Sequence, residues 1–210
     1  TVTNYPGTNV TVPTIQGYTP TNTQLTIPPK NGDVPVVYTP NTVTANVNVP
    51  SNKGSQLVPN VTGKTGDHVT VTVPNVPGYT PNKMTVPATV NPDGSITVDN
   101  PTSTGLVTYN PDQQKMVVTV GNKAYIITGA SDSPITYDEN AILPLIPAGY
   151  DLAGFNSGDF SKFLTDNHVV TTFDHDDNTD QTWTVPLVEK SDFETATTTR
   201  TIHFVGDNGK

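Results

Sequence analysis

The chain has 210 residues, no cysteine, 20 prolines, 16 glycines, 7% aromatic residues and a formal charge of −9. Without a thiol it has no disulfide, thiolate metal site or cysteine nucleophile. Its ten scattered Lys and Arg speak against a nucleic-acid or anionic-membrane footprint, and no apolar run is long enough to span a bilayer.

In chain order, Asn9 to Val12, Gln24 to Ile27 and Val34 to Tyr38 read as short strands, with a turn at Pro28-Pro29-Lys30-Asn31-Gly32-Asp33. Val43 to Val49 alternates apolar residues with Thr and Asn and ends in a Ser51-Asn52-Lys53-Gly54 turn. Val69, Val71 and Val73 alternate with Thr70 and Thr72, which gives a strand one apolar and one hydroxyl-bearing face. Asn91-Pro92-Asp93-Gly94 is a hairpin turn into Ser95 to Val98. Met116 to Val120 and Tyr125 to Thr128 form a second hairpin around Gly121-Asn122. Asp138 caps a short helical turn that Pro144 cuts off, and Asp159 caps another with Phe160, Phe163 and Leu164 on one face. Val169 to Phe173 and Thr182 to Val188 frame an acidic loop, with Trp183 sharing a core face with Val185 and Leu187. Thr199 to Val205 reads as the first strand of a further unit, so a strand of Arg200 to Val205 is expected to pair with an existing sheet edge.

One phrase is said twice. Val12-Pro13-Thr14-Ile15-Gln16-Gly17-Tyr18-Thr19-Pro20 returns as Val73-Pro74-Asn75-Val76-Pro77-Gly78-Tyr79-Thr80-Pro81, and a worn copy stands at Ile146-Pro147-Ala148-Gly149-Tyr150. In the first two copies an apolar-Thr-apolar-Pro run follows, and then a closing strand ending in Tyr38-Thr39-Pro40 or Tyr109-Asn110-Pro111. The phrase is expected to form a corner, with Gly at positive φ and Tyr18 and Tyr79 as core anchors. Self-similarity at this spacing predicts an array of small units of roughly 70 residues: an incomplete module over 1–41, a complete one over 42–111, an acidic one over 112–190, then a linker and first strand over 191–210. The acidic one is chemically distinct, with twelve Asp and Glu against four Lys.

The Pro-x-x-Gly-Tyr-Thr-Pro phrase with its Tyr-x-Pro closing strand resembles the MucBP modules of mucus-binding surface proteins from Gram-positive gut bacteria. Phe173-Asp174-His175-Asp176-Asp177-Asn178-Thr179-Asp180-Gln181 with Trp183, Val185 and Leu187 is similar to the acidic-loop domain of the long Mub repeat, and Thr199-Arg200-Thr201-Ile202-His203-Phe204 to the start of its partner domain. The resemblance implies a mainly β chain of tandem, β-grasp-like (ubiquitin-like) modules arranged as an elongated rod. It further implies an extracellular, cell-wall-anchored parent on the bacterial surface, and partners among host mucin glycoproteins, immunoglobulins and neighbouring repeats. The first 40 residues are shorter than the pattern, and Pro144 and Pro147 shrink the helix a β-grasp fold carries.

Asp174, Asp176, Asn178 and Asp180 alternate at the spacing of the first half of a calcium loop, so calcium is the cation they would take. The second half is missing, since Val185 stands where the bidentate acid belongs and Thr179 where Gly is wanted. A solvated hairpin loop is the alternative. His68, His168, His175 and His203 are scattered and have no nucleophile elbow or metal spacing beside them. The expectation is therefore a binding segment and not an enzyme, with a structural stalk as the alternative. Thr, Asn and Gln faces could hydrogen-bond glycans, and a solvated sheet face reads identically.

Overall fold

The computed structural model describes residues 5–30, 32–155, 158–191 and Arg200. Strands dominate, as the β-branched, Pro- and Gly-rich composition requires. They are β1 Asn9–Thr11, β2 Tyr18–Pro20, β3 Gln24–Thr26, β4 Tyr38–Pro40, β5 Thr42–Val49, β6 Gln56–Lys64, β7 His68–Thr72, β8 Tyr79–Pro81, β9 Thr85–Val90, β10 Ile96–Val98, β11 Tyr109–Pro111, β12 Gln113–Val120, β13 Lys123–Ala130, β14 Tyr150–Leu152, β15 Gln181–Thr184 and β16 Leu187–Glu189. The helices are α1 Glu139–Ile142, continued by a 3-10 turn over Leu143–Leu145, and α2 Phe160–Asp166. The expected strand at Thr199 to Val205, with its sheet-edge pairing, lies outside the described residues.

The chain divides into two units, one of residues 1–114, 128–134 and 172–180, the other of 115–127, 135–171 and 181–210. In the first, β10-β9-β7 is an antiparallel sheet, β5 pairs β6, and β1-β3, β2-β4 and β8-β11 are two-stranded antiparallel ribbons. Period-two alternation builds its main core: Val47 and Val49 of β5, Val71, Val86, Ala88, Val90, Ile96 and Val98 form one buried cluster with Tyr79, Val107 and Tyr109. The Asn91-Pro92-Asp93-Gly94 turn is closed as expected, with Gly94 at φ 88° and the Asp93 carboxylate accepting from the Ser95 N–H (2.9 Å) and hydroxyl (2.6 Å).

Two elements differ from expectation. Residues 34–37 form no strand, and the closing strand starts only at Tyr38; Pro35 removes one of the N–H donors a ladder needs. Gln56–Lys64, which lacks clean alternation, is a nine-residue strand. It tolerates Pro59 through a register shift opposite Ala45 and Val47, with Asn60 at φ 57°.

The second unit is built on the sheet β13-β12-β15, in which β15 runs parallel to β12 with Met116 opposite Gln181 and Thr119 opposite Thr184. Met116, Val118 and Val120 are fully buried. Both expected caps are present: Asp138 accepts from the Asn140 N–H (2.9 Å) and Asp159 from that of Lys162 (2.8 Å). α2 buries Phe160 and Phe163, which pack with Phe155 at 5.7–6.3 Å. Trp183 is half-buried between Tyr137 (5.6 Å, edge-on) and Phe163 (6.2 Å), while Val185 takes the fully buried place on that stretch.

Candidate functional site

The repeated phrase makes one corner three times. Gly17, Gly78 and Gly149 have φ of 81°, 74° and 85°. The next residue turns back on the chain: Tyr18, Tyr79 and Tyr150 donate their N–H to the carbonyls of Ile15 (3.0 Å), Val76 (3.0 Å) and Pro147 (3.1 Å). Each Gly carbonyl accepts, at 2.8 Å, from the residue just after the closing strand: Asn41, Asp112 and Lys190. The ribbon registers agree, with Tyr18 opposite Pro40, Tyr79 opposite Pro111 and Tyr150 opposite Glu189. Tyr79 is 9% exposed, as a core anchor should be; Tyr18 is only half-buried.

At the first corner the Asn41 carbonyl accepts from the Thr65 N–H (2.9 Å), and a side chain on Gly17 would strike Pro92 Cα and Thr65 Cγ2, both at 2.7 Å. At the second, the Asp112 carbonyl accepts from the Ser131 N–H (2.9 Å), and a side chain on Gly78 would strike His175 Cβ at 2.4 Å and Ser131 Oγ at 2.8 Å. Ser131-Asp132 thus takes the place of Thr65-Gly66, and both Asp132 (φ 62°) and Gly66 (φ 88°) are left-handed. The acidic loop takes the place of the Pro92 turn.

The second corner is far more polar. Tyr79 Oη donates to Asp132 Oδ2, His175 Nδ1 lies 3.2 Å from Asp132 Oδ1, and Lys53 Nζ sits 3.8 Å from Asp132 and 3.7 Å above the Tyr79 ring. The tyrosine hydroxyl, with the imidazole beside it, holds the Asp132 carboxyl below the usual carboxylate range. From the other side, Asp177 accepts from the Gly78 N–H (3.0 Å) and from Gln114 Nε2 (2.8 Å), and Gln114, buried, also reaches Ser131 Oγ (3.0 Å).

The four residues singled out as cation ligands lie along one loop. Asp176, Asn178 and Asp180 are exposed and Asp174 half-buried. Asp174 Oδ1 accepts from the Asp176 N–H (3.3 Å), and Asp176 Oδ1 from the Asn178 N–H (3.0 Å), so successive side chains brace the loop's own backbone. The bond from Asn178 holds the Asp176 carboxyl low. Among the described residues no group of three His, Cys, Asp or Glu is gathered for a metal. The residues that sequence reasoning missed are Asp177, between two of the named four, and Asp132. Laying Gly63-Lys64-Thr65-Gly66 over Gly129-Ala130-Ser131-Asp132 was the available signal.

A separate groove of about 350 Å³ lies in the second unit, between α2 and the 135–137 and 169–171 stretches. It is lined by the apolar residues Ile135, Leu164 and Val169 and by the hydroxyl-bearing residues Thr136, Ser161, Thr165 and Thr171. Tyr137 is locked there by donating to the Val170 carbonyl (2.7 Å), and burial pushes its phenol up to about 12. A more apolar groove of about 400 Å³ lies beside β1 and β3, lined by Val10, Leu25, Ile27, Val34 and Val36.

Residues 104–189 match the family model of a mucin binding domain of the MucBP type. This segment is similar to a MucBP-type module. The match takes in the Ser131-Asp132 turn, the acidic loop and the hydroxyl-lined groove, and it ends on Glu189, the ribbon partner of Tyr150. No curated protein matches the chain. No described helix is long and apolar enough to cross a membrane.

Proposed function

We propose that the chain is part of a cell-wall-anchored bacterial surface adhesin whose MucBP-type module holds mucin glycans in the groove beside α2. The observation that carries this reading is the composition of that groove, lined by apolar residues together with four Thr and Ser residues, inside the residues that match the mucin binding family. Sugars present such alternating hydroxyl and C–H surface, and a shallow polar site gives weak affinity that repetition multiplies. The module's acidic excess repels an acidic mucin, so contact rests on hydrogen bonds and apolar patches. The test is binding of the full chain to immobilised mucin beside deglycosylated mucin, with Thr165→Tyr filling the groove from α2. Equal binding of that variant, or equal binding to both mucins, overturns the glycan assignment; binding to immunoglobulin alone would name the other partner.

A second reading is a stalk that presents a distal binding domain, and the twice-made corner joint favours it. The module boundaries of 1–41, 42–111 and 112–190 belong to the proposal, supported by the three equivalent corners. So does the β-grasp assignment of the third module, supported by β15 running parallel to β12 with the helical segments between them. An elongated array predicts a radius of gyration of roughly 25 to 30 Å in small-angle scattering, against about 17 Å for one compact body. The proposal is non-catalytic: His68 and His175 each lie against an aspartate, Asp99 at 3.4 Å and Asp132 at 3.2 Å, and the Thr89 hydroxyl beside His68 is engaged in donating to Asp99 at 2.6 Å.

A further inference from the structure

We propose that the Gly149-Tyr150 corner with Lys190 is a third socket, shaped for the receiving turn of a further module of the same repeat. The argument rests on corner geometry and not on mucin binding. All three corners share the left-handed glycine, the tyrosine turned back on the chain and the 2.8 Å bond into the glycine carbonyl. The two earlier ones are filled in the same way. A Thr or Ser N–H reaches the carbonyl of the residue after the closing strand, and the hydroxyl of the same residue approaches that carbonyl at 3.4 Å from Thr65 and 3.3 Å from Ser131. At the third corner, among the described residues, a side chain on Gly149 would meet nothing within 4 Å, and Tyr150 is 36% exposed where Tyr79 is 9% exposed. The glycine is thus kept where no described neighbour crowds it.

The occupant must offer a Thr or Ser with a free N–H, followed by a residue in the left-handed region. A second copy of this chain does not offer it. The equivalent turn at its front is Pro6-Gly7: Gly7 (φ 80°) donates to the Ile27 carbonyl at 2.9 Å as Gly66 does to Val90 at 2.9 Å, so Pro6 stands in the place of Thr65. Proline has no N–H to give. The fitting partner is therefore a module joined in tandem after Lys190, carrying a turn of the Thr65-Gly66 or Ser131-Asp132 kind.

The test compares the 210-residue chain with residues 1–190 continued by a second copy of residues 42–111, by hydroxyl-radical labelling of Tyr150. Labelling is expected to fall several-fold in the extended chain and to return when Gly149→Asn is introduced there. Protection of the added, core-buried Tyr109 reports that the added module has folded, and an extension with residues 113–190 repeats the measurement through the charged turn. Equal labelling of Tyr150 in the 210-residue chain and both extended chains overturns the proposal. A fall in labelling with rising concentration of the 210-residue chain also overturns it, since a second copy would then be the occupant.

Discussion

Lys190 Nζ lies 3.4 Å from Asp151 Oδ1, across the same ribbon positions where Thr80 donates to Asp112 and Thr19 to Asn41, both at 2.6 Å. The attraction is kept while donor and acceptor change strands. A feature that survives such an exchange belongs to the design of the corner and not to one residue type. It pins the residue whose N–H enters the glycine carbonyl.

Substitution of the corner glycines separates backbone strain from crowding. Gly149→Ala meets only the cost of a left-handed alanine, about 1 kcal/mol. Gly78→Ala adds a collision with His175 Cβ and Cα, at 2.4 and 2.6 Å, in a packed junction, which costs roughly 1–3 kcal/mol more. Thermal melting of the two variants should show the larger fall for Gly78→Ala, and equal falls would contradict the close approach described here.

Asp132 makes the second corner acid-sensitive. Its folded-state carboxyl is held below the ordinary value by the Tyr79 hydroxyl and His175, so its contribution is present above the unfolded pKa and is lost as pH falls through the folded one. The melting difference between the parent and Asp132→Asn should close below about pH 3, given an unfolded value near 4. A difference that persists unchanged in strong acid would remove the carboxylate from the account.

The closing-strand tyrosines donate to a proline carbonyl, Tyr109 to Pro74 and Tyr38 to Pro13, both at 2.6 Å. Tyr109 is 1% exposed, and burial raises its phenol pKa. Tyr109→Phe strands a carbonyl away from water and should cost about 1–2 kcal/mol. At half-buried Tyr38 water can replace the lost bond, so Tyr38→Phe should cost less in denaturant titration.

Because the 174–180 loop is braced by its own side-chain turns, it should need no cation. Melting after chelation and in millimolar calcium should coincide. A calcium-dependent rise that disappears in an Asp176→Ala, Asp180→Ala double variant would instead put the ion on the loop.

The sequence made legible what depends on neighbours along the chain. Alternating valines announced β5, β7 and β12, Asp138 and Asp159 announced their helices, and the Gly-Tyr phrase announced the corners. It hid what depends on distant partners. Asp177 reads as one more acid in a polar loop, yet it accepts from the Gly78 N–H, 99 residues away in sequence. β6 was hidden by Pro59 and Asn60, which break the alternation and are absorbed by a bulge that only the paired strand reveals. The groove beside α2 draws its hydroxyls from three separated stretches, each unremarkable alone.

Between closing and opening strands the chain spends a single residue: β4 ends at Pro40 and β5 begins at Thr42, β11 ends at Pro111 and β12 begins at Gln113. That residue is the one bonded to the corner glycine on one side and to the receiving turn on the other. There is consequently no slack to draw out. Tension applied along the chain would therefore pass directly through the peptide groups of Asn41 and Asp112, with no loop to take it up.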